Sequence, residues 1–415
     1  MTKKEHEKKE KDKKNPVVKS ERAMTPSEFY SKLAKEDKTS IANLAKPRPI
    51  EFIPTGSWVL NALIGDGTGT GKPGGIPRGH ITEVFGDESS GKSTLGLSSC
   101  RQVQMMGGLP IYIDFERTFH DRYAQALGID TSPDKFVLIQ PSHFQHGAKM
   151  LNDALLMKPP LIVVDSVSAM LPREFLEGEV DEAGRVGLQA QLMSAFLSYI
   201  TKKIDPMQGT NTALLFVNQM RSRIKMNKYD RGPTEESSGG NALKYYSSVR
   251  IKFLKGQVES VDAHSAITGK KEKKPVNVQV KAMIVKNKID RPFMAGPIFI
   301  RFGEGFDNYF SIMELAVNIG VVKQAGAFLS FNKGGEEVFK VQGREQLRSL
   351  LTKDSKVYQS LRDSLVLKED EQAKQEAAAE AEDEVSTGDE MDSILGNVAK
   401  SFKDAQKAKE EPAAE

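Results

Sequence analysis

Between Pro49 and Pro297, short apolar runs alternate with stretches in which apolar residues recur every three to four positions. Ile81–Phe85, Leu109–Phe115, Phe136–Ile139, Leu161–Asp165, Ala213–Gln219 and Ser248–Leu254 are short, rich in Val, Ile, Leu and Phe, and read as strands. Helical spacing from Thr94 onward, over Ala148–Met157 and over Val186–Lys203 separates most of them. That order predicts an α/β fold, a largely parallel twisted sheet flanked by helices. Pro26–Lys35 reads as a short amphipathic helix with a Thr/Ser start signal, and Thr39–Leu44 as a brief strand. Both are too small to fold alone, and Pro47-Arg-Pro49 marks a boundary after them. Lys270–Lys274 looks like an exposed hairpin tip, and Phe299–Leu367 like a compact α+β unit with helices at Phe310–Asn318 and Gly343–Leu351. The plan is therefore a charged arm at 1–25, a helix and strand at 26–48, a core at 49–298, a small domain at 299–368 and a tail at 369–415.

Composition changes this picture at the two ends. Of 415 residues, 39% are hydrophobic and 28% charged, with a net charge of +3. The first 22 residues mix Lys and Glu without apolar periodicity and read as a solvated arm. Glu369–Asp392 is acidic with only Lys374 opposing, so the body between the ends is more basic than the total. A basic body is compatible with a polyanionic partner. The single cysteine, Cys100, excludes an intramolecular disulfide and a cysteine-rich metal site, and reads as core packing. No apolar run approaches membrane-spanning length, and the N-terminus lacks the apolar stretch of a signal peptide, which predicts a cytoplasmic protein without a membrane partner.

The candidate chemistry begins at Gly86-Asp87-Glu88-Ser89-Ser90-Gly91-Lys92-Ser93-Thr94, between the strand ending at Phe85 and the helix from Thr94. Glycines, lysine and hydroxyl at this spacing form a P-loop, which aims backbone N–H groups and a helix N-terminus at a triphosphate. Lys92 would reach the β- and γ-phosphates and Ser93 would ligate Mg²⁺, so ATP and Mg²⁺ are the expected ligands. Asp165, ending an apolar strand, would serve the metal through water; alone it would pass as a helix cap. Glu116 is the preferred base for orienting water, with Asp114 the lesser candidate. Gln219 closes another strand and could bond the γ-phosphate or be an ordinary strand-end amide. From Met220 to Gly240 the chain has no clean period, several bases and a double glycine. A loop that long inside a domain is functional or disordered, and both readings stay open.

An ordered set of stretches carries a family resemblance: Pro54-Thr-Gly-Ser57, Gly86–Thr94, Val163-Val-Asp-Ser-Val167, Glu177-Gly-Glu179, Asn218-Gln219-Met-Arg221, Gly239-Gly-Asn-Ala-Leu-Lys244, Val285-Lys-Asn-Lys-Ile289 and Gly303-Glu-Gly305. From about Pro54 to Leu367 the chain resembles bacterial RecA-type DNA strand-exchange recombinases, as a divergent member of a kind a phage could encode. The resemblance implies a homo-oligomeric helical filament on single-stranded DNA, with ATP between protomers, that pairs the strand with homologous duplex DNA and exchanges strands. It also implies a role in DNA repair and the SOS response, with single-strand-binding or loading proteins as partners. It gives Tyr123 the adenine-stacking role, and Lys286 and Lys288 a role at the neighbouring protomer's nucleotide. Two DNA loops are implied at 173–187 and 220–240, with Arg185, Arg221, Arg223, Ile224, Gly239, Gly240 and Asn241 as DNA contacts and Ile224 as an apolar wedge. Tyr245 falls at an interface position. Departures from the family's pattern are His120 where an adenine-contacting Asp is common, Arg185 and Val186 where a Met is common, and Gln191 and Ser198 where arginines touch phosphates. A hexameric helicase motor and a DNA-coating filament with incidental hydrolysis share the core and are the alternatives.

Overall fold

The computed structural model describes residues 24–36, 49–68, 72–206, 209–222, 235–237, 240–264 and 271–365. Contacts divide the chain into two units at Pro49/Ile50. In the first, α1 (Pro26–Glu36) begins as its sequence predicts. The Thr25 hydroxyl accepts from the Glu28 amide at 3.3 Å, and the Glu28 carboxylate accepts from the Thr25 amide at 2.8 Å. This reciprocal capping box satisfies two donors left over by the first turn. The expected strand at Thr39–Leu44 lies outside the described residues.

The second unit opens with β1 (Phe52–Ile53), α2 (Trp58–Ile64) and β2 (Ile76–Pro77), which pairs antiparallel with β1. Then come β3 (Ile81–Gly86), α3 (Lys92–Met105), β4 (Ile111–Asp114), α4 (Asp121–Ala126), β5 (Val137–Ile139), α5 (Phe144–Ala154) and β6 (Leu161–Asp165). They are followed by α6 (Arg173–Leu176), α7 (Glu182–Ile204), β7 (Ala213–Ser222), β8 (Glu235–Ser237), α8 (Ala242–Tyr246), β9 (Val249–His264), β10 (Lys271–Asn287) and β11 (Ala295–Arg301). The main sheet runs β12-β11-β10-β9-β3-β7-β6-β4-β5, with β12 at Gly305–Phe306 and β8 paired to the end of β7. From β9 to β5 every neighbouring pair is parallel, and β10, β11 and β12 add an antiparallel edge.

Strand alternation explains why the sheet is covered on both faces. Leu161 and Val163 of β6, with Ala213, Leu215 and Val217 of β7, join the cluster holding α2, α3 and the C-terminal elements. Ile162, Val164, Leu214 and Phe216 point into a second cluster with Phe144 and Leu151 of α5 and Met193, Leu197 and Ile200 of α7. A period-2 strand apolar at every position needs a partner layer on each side, and helices supply both. Cys100 is fully buried in the first cluster. Helix α7 starts at Glu182, four residues before the start read from apolar spacing, because the Asp181 carboxylate caps it by accepting from the Gly184 amide at 2.7 Å.

The remaining elements are α9 (Asn308–Asn318), the antiparallel β13 (Lys323–Ala325), β14 (Phe328–Lys333) and β15 (Glu336–Gln342), α10 (Arg344–Lys353) and a helix at 355–365. Two expectations are corrected here. The boundary drawn at 298/299 falls inside β11, whose Phe299 amide donates to Ser311 Oγ at 3.0 Å and whose Phe299 ring lies 4.9 Å from that of Phe310. Leu329, Phe339, Leu347 and Leu361 continue the core cluster of Ile300 and Val280, so no solvent gap marks the boundary. Lys271–Lys274, expected at a hairpin tip, are paired strand residues opposite His264–Val261. Their exposed side chains hid the strand, because a ribbon solvated on both faces shows no apolar alternation.

Candidate functional site: a phosphate cradle between two strand ends

The site gathers at the C-terminal ends of β3, β4, β6 and β7, where an open parallel sheet places its ligands. β3 ends at Gly86, and the chain turns through Asp87–Gly91 into α3. A Cβ on Gly86, at φ +152°, would sit 1.9 Å from the Phe253 carbonyl oxygen, and one on Gly91, at φ +86°, 2.0 Å from Ile300 Cδ1. Both glycines are therefore required by space as well as by backbone conformation. The turn is pinned by Ser90 Oγ donating to the Asp87 carbonyl at 2.7 Å and by the Lys255 amide donating to Asp87 Oδ2 at 2.9 Å. Lys92 Nζ donates to the carbonyls of Gly86, at 3.0 Å, and Asp87. Burial holds this ammonium below the usual lysine range, opposed by the carboxylates of Asp165, Asp87, Glu116 and Glu88.

Asp165, at the end of β6, is almost fully buried. It accepts from Tyr112 Oη at 2.6 Å, and the Ser93 hydroxyl is near enough to favour its charged form. Burial pushes its carboxyl above the usual range while those two hydroxyls pull it down. Ser93 and Asp165 thus stand near one another, and Tyr112, unremarked in the sequence, holds Asp165 from the other strand. Tyr112 lies three residues after Leu109 on a strand whose alternate positions are core, so nothing local separates it from packing.

The two candidates on the β4 side are distinguished by their neighbours. Asp114 is buried and accepts from the amides of Thr118, at 3.3 Å, and Phe119, at 3.0 Å, and from Gln140 Nε2 at 3.0 Å. Its oxygens are occupied in folding the turn that carries Glu116. Glu116 is half-buried and accepts through Oε1 from Ser166 Oγ and, at 3.0 Å, from Gln219 Nε2. Gln219 stands near the end of β7 next to Asn218, whose Oδ1 accepts from the Gln219 amide at 2.9 Å. Asn218 Nδ2 donates to Glu83 Oε1 at 2.9 Å, and Glu83 Oε2 accepts from Arg250 Nε at 2.5 Å. Glu83 is fully buried, and Arg250 lies over the Phe85 ring at 4.5 Å. Sequence reading missed this string because its members come from β3, β7 and β9.

A cavity of about 310 Å³ lies beside the loop, lined by Ser89 to Thr94, Tyr123, Val278, Ile300, Arg301, Phe302 and Gly303. Tyr123 Oη is 2.8 Å from Thr94 Oγ1, which ties the ring to the start of α3. Arg301, Phe302 and Gly303 were not singled out in the sequence as lining residues; the order of the sheet brings the end of β11 over the loop.

Other expected residues lie elsewhere. Lys286 Nζ donates to the carbonyls of Lys244, at 2.6 Å, and Tyr245, at 3.1 Å, closing the C-terminus of α8, and neither Lys286 nor Lys288 lines the cavity. Burial, with Lys288 and Arg250 nearby, lowers the Lys286 ammonium from its usual range. The Arg185 guanidinium lies 5.2 Å from the centre of the Phe175 ring. Residues 182–187 of the first expected loop belong to α7, and Arg173–Leu176 form α6. In the second, the backbone of Arg221 continues β7, while Arg223, Ile224 and Gly239 lie outside the described residues. Gly240 has φ +76°, and Asn241 Oδ1 accepts from Lys244 Nζ at 3.0 Å. Among the described residues no helix is long and apolar enough to cross a membrane.

Strand, glycine loop and helix, with an acid ending a neighbouring parallel strand, define the class of P-loop nucleotide-binding proteins. The RecA N-terminal domain family model matches residues 31–307. Protein RecA of Nautilia profundicola is 36% identical over 318 residues, covering 76% of this chain and 84% of that protein. Protein RecA of Helicobacter pylori is 36% identical over 320 residues, covering 77% of this chain and 83% of that protein. The mitochondrial DNA repair protein recA homolog of Dictyostelium discoideum is 36% identical over 324 residues, covering 76% of this chain and 65% of that protein. The chain belongs to the RecA family, with a RecA-type function in recombination and DNA repair. Family membership makes it, in general terms, a nucleotide-binding, DNA-dependent ATPase.

Proposed function

We propose that the chain hydrolyses ATP in a filament on single-stranded DNA and uses the nucleotide state to govern pairing and strand exchange with homologous duplex. The observation that carries this is the hydrogen bond from Gln219 Nε2 to Glu116 Oε1, 3.0 Å long. It joins a carboxylate beside the phosphate cradle to the strand that runs into residues 220–240. The donor set suits a triphosphate: two glycines without room for a Cβ, a buried lysine and a helix N-terminus.

In this reading Gly86–Thr94 and Lys92 hold the phosphates, with Ser93 and Asp165 on Mg²⁺. Held there, the ion would supply positive charge to offset that of the phosphate oxygens. Glu116 orients the attacking water and takes its proton, while Ser166 and Gln219 hold the carboxylate in place. When the γ-phosphate offers a stronger acceptor, Gln219 leaves Glu116 and pulls on β7, which repositions the DNA loop. Tyr123 and Phe302 provide flat apolar surface for the base. Lys286 and Lys288 act on the neighbouring protomer's nucleotide, consistent with their position outside their own cavity. Arg185, Arg221, Arg223, Gly239, Gly240 and Asn241 meet DNA, with Ile224 as wedge.

The test is ATP turnover with and without single-stranded DNA, alongside electron microscopy with a slowly hydrolysed ATP analogue. DNA-stimulated turnover and open helical filaments are expected. Closed rings, or turnover indifferent to DNA, would refute the reading.

A further inference from the structure

Glu116 accepts from Ser166 Oγ and from Gln219 Nε2 on the same oxygen, Oε1, and among the described residues no hydrogen bond falls on Oε2. Ser166 follows the end of β6 and leads into a single 3₁₀ turn at Val167–Ala169, where the half-buried Ser168 places its Oγ 2.6 Å from that of Ser166. A hydroxyl has one proton to give, and an ionised carboxylate only accepts. Ser166 gives its proton to Glu116, so Ser168 must be the donor to Ser166, and the chain runs one way into the carboxylate. Hydroxyls aligned head to tail polarise one another, which strengthens the last bond. The turn is pinned on both sides of Ser168. Nε2 of the buried Gln189, on α7, donates to the carbonyls of Val167, at 3.3 Å, and Met170, at 3.0 Å. The Ala169 amide donates back to the Ser166 carbonyl at 3.1 Å.

We propose that Ser168 is a positioning residue for hydrolysis: it fixes the Ser166 hydroxyl on Oε1 and so leaves Oε2 of Glu116 as the atom that receives the water proton. The proposal rests on the reading of Glu116 as the base. In the step, the water oxygen bonds to the γ-phosphorus, the bond to the bridging oxygen breaks with its electron pair leaving on ADP, and one water proton passes to Oε2. Once Gln219 turns to the γ-phosphate, Ser166 is the donor that stays on Oε1, and the serine pair sets the angle of the carboxylate at the moment of attack. Neither serine is part of the cavity wall, so the effect belongs in kcat rather than in KM.

The experiment measures kcat, KM for ATP and the affinity for a fluorescent ATP analogue in the full-length protein, with Mg²⁺ and saturating single-stranded DNA, for wild type, Ser168→Ala, Ser168→Thr and Glu116→Gln. Ser168→Ala should lower kcat about tenfold, with KM and the analogue's dissociation constant within about twofold of wild type. Ser168→Thr restores the hydroxyl and should keep kcat within about threefold, which guards against a mere folding effect. An unchanged kcat in Ser168→Ala, or an equal loss in the alanine and threonine variants, overturns the proposal. Weakened analogue binding in Ser168→Ala overturns it as well, because it marks a structural role. Turnover unchanged in Glu116→Gln removes the base and the positioning role with it, whereas turnover lost there and unmoved in Ser168→Ala removes the role of Ser168 alone.

Discussion

Arg250→Leu would strip a charged donor from a carboxylate with no exposed surface. Glu83 has 0% side-chain exposure and Arg250 13%. Removing one partner of a buried pair leaves an uncompensated charge, at a cost of about 3–5 kcal/mol. The lost contact with the Phe85 ring adds about 0.5–1 kcal/mol. With a urea m-value of about 3 kcal/mol/M, the unfolding midpoint should fall by roughly 1–2 M. Glu83→Gln in the same background removes the stranded charge and keeps an acceptor for Asn218 Nδ2. Its unpaired amide costs about 1 kcal/mol, so the double variant should recover roughly 2–4 kcal/mol. The assay is urea unfolding of wild type, Arg250→Leu and the double variant, followed by fluorescence of Trp58. A loss below about 1 kcal/mol in the single variant, or no recovery in the double, would refute the description of Glu83 as a buried carboxylate dependent on Arg250.

Glu116→Gln should keep ATP and DNA binding and lose turnover, since an amide cannot take the water's proton; an unchanged hydrolysis rate moves the base elsewhere. Asp165 carries a raised carboxyl pKa through burial, so its ionised form costs stability that is absent below the ordinary carboxylate range and complete above the raised value. Asp165→Asn should therefore raise the urea midpoint of the nucleotide-free protein at about pH 7.5 while abolishing Mg²⁺-dependent turnover, and the gain should shrink toward about pH 4. A gain independent of pH would contradict that sign. Mixing Lys92→Ala with Lys286→Ala protomers should restore part of the turnover that each lacks alone, because some interfaces then combine two intact halves. Inactivity at every ratio excludes a shared site.

Much of the site was legible where chemistry is local. Gly86–Thr94 announces itself by spacing, and with that loop in place Asp165, which alone would pass as a helix cap, stands out at the end of a fully apolar strand. The rivalry between Asp114 and Glu116 was not resolvable locally, because the two stand only two residues apart at and just beyond the end of one strand. The amides of Thr118 and Phe119 occupy Asp114, while Ser166 and Gln219 reach Glu116. Those partners are contributed by a turn, by the residue after β6 and by β7, and no periodicity encodes them.

By itself the sequence determined most of the parallel core strands and the helices between them, that Cys100 is core, and which stretch has the spacing of a phosphate loop. Each follows from composition and periodicity within a few residues. Only the tertiary structure decided that Arg250 would answer Glu83 across 167 positions, that Tyr112 would hold Asp165, and that β11 would close over Gly91 and bring Phe302 to the cavity. The strand order β11-β10-β9-β3-β7-β6-β4 is a permutation of the chain order. Neighbours across such a sheet are set by how the layers pack, and that information is distributed over the whole core.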